Sequence, residues 1–415
     1  MQQRSRKGRR PRPRPERLEA LVVGAGVSGL YQLYCLLQLG IKAKIYEAGG
    51  GVGGTWYWNH YPGAVLDSES WAYAYSFSEE LLQEWTWSSE FAPAEEIERY
   101  LNHVADRFDL RRHIRLNERV KSAAFDEAAN CWHVETEEGR HARTQYLIPA
   151  VGILSAAYLP DIAGLESFRG RSFHTARWPR ETLDFSASRV GVIGTGSTGV
   201  QVISSIAPDC AHLTVFQRTP NYCLPLRNAP IDEARSREIK ANYPAIFEIC
   251  RRTLTGFPHE PYPRATFDVT PEEREAFFEA NWAERGFSKW FGNFKDLMVN
   301  REANELYAEF VRGKIRSRVH DSEVAEKLCP YYHFGAKRPP LETNYYEVFN
   351  RDNVELVDVN ASPIERITPT GLKTAVAEYD LDVIVYATGF DAVTGGYDRI
   401  DIRGLGGKTL KEHWT

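Results

Sequence analysis

One pattern occurs twice, and it limits the fold more than any other feature of the chain. In EALVVGAGVSGLYQLYCLLQLGIKAKIYEA, residues 19–48, a continuous apolar run at 21–23 leads into Gly24, Gly26 and Gly29. A helical stretch follows, then a second apolar run at 41–46 that ends on Glu47. Short unbroken apolar runs are what a parallel sheet buried on both faces requires. Glycines at this spacing let the backbone turn tightly, approach a pyrophosphate and pack helix against strand. The helix N-terminus offers free N–H groups and a positive dipole end to phosphate. Glu47 stands roughly 20 residues past the turn, where a carboxylate can accept bonds from ribose hydroxyls.

The same order returns in SRVGVIGTGSTGVQVISSIAPDCAHLTVFQRTP, residues 188–220, with strands expected at 190–193 and 213–216 and Gly194, Gly196 and Gly199 between them. Here the strand ends on Gln217, Arg218 and Thr219 instead of an acid. A carboxylate there would repel a 2′-phosphate, whereas Arg218 can pair with one, so this second site is expected to prefer NADPH over NADH. Two dinucleotide sites on one chain suggest a resident FAD and an NADPH that delivers hydride. The six cysteines form no C-x-x-C pair and no metal spacing. Oxygen is therefore the expected electron acceptor, no metal is expected, and a reduced cytoplasmic setting is the default.

The fold class expected is α/β, with two Rossmann-like dinucleotide-binding domains and a helical insertion. Small-residue turns at 150–155 and 387–389 mark chain crossings, so the first domain is interrupted by the second. The boundaries read as a basic Pro/Arg tail at 1–17, an FAD domain at 18–150 returning at 385–415, and an NADP domain at 151–225 and 333–384. Between them, 226–332 is charged and helical. Thr270-Pro271-Glu272-Glu273 reads as a cap with proline at the first helical position, and Leu306, Phe310, Val311 and Ile315 are expected on one helix face. The tail carries Arg4, Lys7, Arg9, Arg10, Arg12, Arg14 and Arg17 among Pro11, Pro13 and Pro15, a composition expected to be extended. An apolar stretch follows it as in a signal peptide, but the glycines at phosphate-loop spacing argue against that and against a membrane span. A net charge of −5 speaks against nucleic acid as a partner. With 43% hydrophobic residues, the chain can bury a sizeable core.

The stretch GGTWYWNHYPGAVLD (53–67) crowds Trp56, Tyr57, Trp58 and Tyr61 around a Pro-Gly turn that ends on Asp67. Together with FRGRSFHTARWP (168–179) it resembles the two signatures of the type I Baeyer–Villiger monooxygenases, a family of FAD- and NADPH-dependent enzymes. Phe168, Gly170, His174, Thr175, Trp178 and Pro179 occupy each fixed place of the second signature. QRTPNY, FGAKRP, YYEVFNRDNV and ATGFDAVTG are similar to the family as well, so the resemblance covers 18–415 and is greatest to the phenylacetone and cyclohexanone monooxygenases. His60 and Leu66 depart from it, standing where the family usually has arginine and often has cysteine. Family chains also continue past a position such as Trp414, so this one is expected to be C-terminally short.

The resemblance implies insertion of one oxygen atom of O2 into a ketone, giving an ester or lactone, with sulfide oxidation as a second activity. It implies Arg338 as the catalytic arginine, Asp67 as the carboxylate that holds it, and Lys337 beside Arg218 on the NADP 2′-phosphate. It places Thr55, Trp56, Tyr73 and Val120 at the flavin site, the aromatic loop forming a lid over the flavin ring. It places Thr195, Ser197, Thr198, Gln201 and Thr219 at the NADP site, and gives His174 an architectural role at the domain crossing. The partners implied are a small ketone and O2, and the chain is expected to be monomeric. Other readings are an NADPH oxidase or N/S monooxygenase on the same scaffold, and a C-terminally truncated homologue that is inactive or binds FAD weakly.

Overall fold

The structure, a computed structural model, describes residues 14–414. The chain divides into two units, one holding residues to 58, 98–156 and 390 onward, the other 59–97 and 157–389.

The first unit is built on a seven-stranded sheet in the order Asp401–Arg403, Val120–Asp126, Cys131–Thr136, His141–Pro149, Glu16–Val23, Ala43–Tyr46, Ile114–Arg115. Glu16–Val23 lies parallel to Ala43–Tyr46 on one side and to His141–Pro149 on the other. Ala20, Leu21 and Val22 are fully buried, as an unbroken apolar run in a two-sided sheet should be. Leu18, Leu21, Val23, Tyr46, Val120 and Val134 form one continuous core. The strand begins earlier than expected. Glu16 and Arg17, assigned to the tail, are already within it, because the Glu16 carboxylate accepts from Arg115, Lys44 and Tyr46 across the sheet. These partners hold the Glu16 carboxyl down at about 2, even though burial acts the other way. The tail's first 13 residues lie outside the described ones.

The second unit carries a five-stranded parallel sheet in the order Val354–Asp358, His212–Gln217, Arg189–Ile193, Val383–Tyr386, Arg171–His174. Its core includes Ile193, Phe216, Ile367, Leu372 and Ile384. Between 226 and 332 stand the helices Glu233–Arg252, Pro271–Ala283, Ser288–Phe291, Arg301–Arg318 and Ser322–Leu328. Thr270 closes a full capping box with Glu273, with Pro271 at the helix start. On Arg301–Arg318 the buried arc is Ala303, Asn304, Tyr307, Ala308, Val311 and Ile315. Leu306, expected on that face, is exposed, since three- and four-residue steps through Tyr307 and Val311 leave it off the arc.

Residues 59–97, read from the sequence as part of the first domain, fall in the second unit. Tyr61 donates to Gln201 Oε1 at 2.7 Å, Gln201 Nε2 donates to the Val65 carbonyl at 3.1 Å, and Phe91 N–H bonds Asn228 at 3.0 Å. These bonds span well over a hundred positions of chain, which local sequence pattern does not register.

Candidate active site

The first glycine turn is closed by its own surroundings. Gly24 adopts a φ of +106°, and a Cβ there would lie 2.5 Å from the Ala150 carbonyl oxygen. A Cβ on Gly29 would fall 1.9 Å from the Gly24 oxygen, so helix and strand touch at backbone distance. Helix Val27–Gln38 starts at Gly26 with no side-chain cap, so the positive end of its dipole points into the turn. Gly26 and Gly54 face each other, and a Cβ on Gly54 would stand 2.7 Å from the Gly26 Cα. That bare cradle fits a pyrophosphate.

Glu47, assigned to ribose, is buried and accepts Ala25 N–H and Gly49 N–H, both at 2.6 Å. It thus ties the turn to the 49–51 loop, and each carboxylate oxygen keeps a lone pair for a hydroxyl. Val120 is buried at the start of its strand, next to the Glu118 N–H that bonds the Glu47 carbonyl. Thr55 and Trp56 sit on the short helix Thr55–Trp58.

Tyr57, read from the sequence as part of the aromatic lid, explains the glycine run. Its ring lies where Cβ atoms on Gly49 and Gly51 would be, at 2.6 and 2.7 Å, and its hydroxyl accepts Gly50 N–H at 2.9 Å.

The second turn repeats the backbone of the first. Gly194 has a φ of +107°, with a Cβ position 2.5 Å from the Ala387 oxygen, and a Cβ on Gly199 would stand 2.3 Å from the Gly194 oxygen. Helix Ser197–Ile206 again begins on an uncapped glycine, Gly196. A chain of contacts gathers the assigned residues. Thr195 Oγ1 donates to the Thr219 carbonyl at 3.1 Å, Asn221 Nδ2 to the Thr195 carbonyl at 2.6 Å, and Tyr332 Oη to Asn221 Oδ1 at 2.9 Å. The Lys337 ammonium lies 5.2 Å over the Tyr332 ring. Asn221 and Tyr332 were not singled out from sequence, although QRTPNY contains the asparagine. Thr198 shares a 3.0 Å hydroxyl bond with Thr175 of the HTARWP signature, and Ser197 is half-buried in the first helical turn. Gln217 is buried with its amide on the Lys327 carbonyl, whereas Arg218 is exposed.

Arg338 Nη2 and Asp67 Oδ2 meet at 2.6 Å across 271 positions of chain, within the second unit. Asp67 follows the loop that Tyr61 and Gln201 clamp onto helix Ser197–Ile206, so Gln201, assigned to cofactor, spends its amide positioning this loop. Tyr73 lies just beyond, its N–H on the Glu69 carbonyl. Burial raises the Asp67 carboxyl above its ordinary value, and the Arg338 charge acts against that rise. Arg338 remains 52% exposed. A pair that open contributes about 0–1 kcal/mol, less than the roughly 2 kcal/mol of rotamer entropy carried by an arginine side chain. The Phe287 ring, 4.9 Å beneath the guanidinium, supplies a further hold. Phe287 in turn packs on Phe257, Trp290 and Phe291, an apolar wall beside the cation.

His174 accepts Ala176 N–H on Nδ1 at 3.0 Å, so Nε2 bears the proton toward the Tyr158 carbonyl at 3.1 Å. Burial holds its pKa below the ordinary histidine value. Thr388 is 3.3 Å from the same nitrogen. His174 thus links two segments that each lie next to a unit boundary. Among the described residues no acidic, histidine or cysteine cluster could hold a metal ion, and no helix is long and apolar enough to cross a membrane.

Residues 18–228 match the family described as flavin-binding monooxygenase-like. The chain is 50% identical over 405 residues to 2-oxo-Δ3-4,5,5-trimethylcyclopentenylacetyl-CoA monooxygenase of Pseudomonas putida, covering 96% of this chain and 74% of that one. It is 45% identical over 399 residues to a Baeyer–Villiger monooxygenase of Pseudooceanicola batsensis, covering 95% and 73%. A crystal structure of OTEMO in complex with FAD and NADP superposes with a TM-score of 0.94 at 50% identity, covering 96% of this chain and 76% of that one.

Proposed function

The chain belongs to the flavin-binding monooxygenase-like family, on the branch of its Baeyer–Villiger relatives, and on that premise we propose that it is an FAD-dependent, NADPH-consuming monooxygenase. It inserts one oxygen atom of O2 into a ketone to give an ester or lactone, and the other atom leaves as water. Gly24, Gly26, Gly29 and Glu47 would hold FAD, with Thr55, Trp56, Tyr73 and Val120 at its site. Gly194, Thr195, Gly196, Ser197, Thr198, Gly199 and Thr219 would hold NADP, with Arg218 and Lys337 on the 2′-phosphate. The chemistry that bound FAD supplies is acceptance of hydride from NADPH and activation of O2.

The residues of this chain orient and stabilise. Arg338 presents N–H donors to the oxygen anion that develops on the attacked ketone, a contribution of roughly 3–4 kcal/mol for one well-placed donor. Asp67 keeps the guanidinium on station, and the aromatic wall around Phe287 lies beside it. The observation that carries the reading is the 2.6 Å Arg338–Asp67 contact, held by a loop clamped to the helix of the second glycine turn. Free cysteines throughout the described residues agree with a reducing cytoplasmic setting. The chain is read as acting as a monomer.

Replacing Arg338 with alanine should leave FAD bound and NADPH oxidation running, while ester formation drops at least about 100-fold. Product analysis by gas chromatography, with a ketone and a sulfide offered in parallel, reads this directly. Ester yield that survives with little change would show that Arg338 does not have this role.

A further inference from the structure

Two residues beyond Asp67, the buried Glu69 places Oε1 2.9 Å from His259 Nε2, a close approach outside hydrogen-bond geometry that leaves His259 Nε2 and Glu69 Oε2 buried with no hydrogen-bond partner, and both side chains are largely shielded from solvent. Neither residue belongs to the assigned site. The pair joins the Asp67 loop to the segment carrying Phe257, whose ring packs edge-on against Phe287 at 5.5 Å. The Glu69 carboxylate also lies against Gly286, immediately before Phe287, and a Cβ there would come within 3.1 Å of Oε1. The contacts form a closed ring running from Asp67 through Glu69, His259, Phe257, Phe287 and Arg338 back to Asp67. Within that ring the Asp67–Arg338 contact is the open, exposed link, and the Glu69–His259 contact is the buried one.

Building on the monooxygenase reading, we propose that Glu69 and His259 are positioning residues for the reaction. They fix the height of the Phe257–Phe287 floor, and through it hold the Arg338 guanidinium at Asp67. The charge on Glu69 is also felt by Asp67, by Cys250 and by the fully buried Lys289, whose ammonium donates to the Glu284 carbonyl. Loss of the Glu69–His259 contact would free the floor and let Arg338 swing toward solvent. Electrons from NADPH would then reduce O2 to hydrogen peroxide instead of appearing as ester and water.

The test uses the full chain with FAD, NADPH and cyclohexanone as the probe ketone. His259→Ala should lower kcat for ester about tenfold and raise peroxide released per NADPH about threefold, with KM for NADPH nearly unchanged. His259→Gln, whose amide N–H can reach the Glu69 carboxylate, should recover most of the coupling. Glu69→Gln/His259→Gln, which keeps an amide pair in place of the carboxylate–imidazole contact, should be no worse than His259→Ala. A readout independent of turnover is thermal melting. The losses from His259→Ala and Arg338→Met should combine to less than their sum, because the two side chains belong to one contact ring. Unchanged peroxide release in His259→Ala, or strictly additive melting losses, overturns the proposal. A wild-type chain that makes no ester overturns the monooxygenase reading alone, and the melting cycle still decides the fate of the pair.

Discussion

The two glycine turns share a backbone and differ in everything built around it. Gly24 and Gly194 have φ values of +106° and +107°, each against an alanine carbonyl at 2.5 Å from the Cβ position. Around the first turn the chain supplies Glu47 on two backbone N–H groups, Gly54 against Gly26, and Tyr57 seated in the 49–51 loop. Around the second, Thr195 and Asn221 make side-chain bonds to the turn, but Gly196 has no atom within 4 Å of its Cβ position and the strand ends on an exposed Arg218. A turn braced by buried hydrogen bonds is a rigid cradle suited to a cofactor that stays. A turn open on one side, with an exposed cation at its lip, suits a cofactor that enters and leaves each cycle. On the proposed assignment, the shared backbone suits the pyrophosphate common to both cofactors, and the two sites differ in what surrounds it.

The strongest break in this comparison is a methyl group placed on each turn. Gly54→Ala must push against the Gly26 backbone at 2.7 Å from a residue with φ of +57°, so the purified protein should lose most of its FAD. Gly196→Ala meets open space, so it should keep FAD and melt within about 2 °C of wild type, an effect under roughly 0.5 kcal/mol. Flavin absorbance and thermal melting of the two variants test this, and equal flavin loss in both would erase the proposed difference.

Next in size is Arg218→Ala. Losing a charge-assisted contact to phosphate costs about 1.5–3 kcal/mol, so KM for NADPH should rise at least about tenfold while KM for NADH barely moves. Equal changes for the two would remove the phosphate role. The smallest expected effect is Tyr57→Phe. It deletes one bond to Gly50 N–H but keeps the ring in its seat, so stability should fall by only about 0.5–1.5 kcal/mol in chemical denaturation. A much larger loss would show that the hydroxyl, and not ring packing, braces the loop.

Much of this protein is legible in its sequence. Glycine at the turns follows from local sterics, since a positive φ and a carbonyl at 2.5 Å admit almost nothing else. The strands on either side follow from apolar runs that only a buried parallel sheet can hide, and the cap at Thr270 follows from a four-residue pattern that closes on itself. These are short-range consequences of residue type and spacing. What only the tertiary structure decided is long-range. Leu306 turned outward because the neighbours of its helix chose a different arc, and residues 59–97 joined the second unit through Tyr61, Gln201 and Asn228. The engagement of Glu47 with backbone, the gathering of Thr195, Asn221, Tyr332 and Lys337, and the pairing of Glu69 with His259 likewise depend on segments far apart in the chain. The physical reason is the range of the forces involved. Backbone sterics and hydrophobic periodicity act over a few residues and leave a mark in the sequence, whereas a hydrogen bond or ion pair forms wherever folding brings its two ends within about 3 Å.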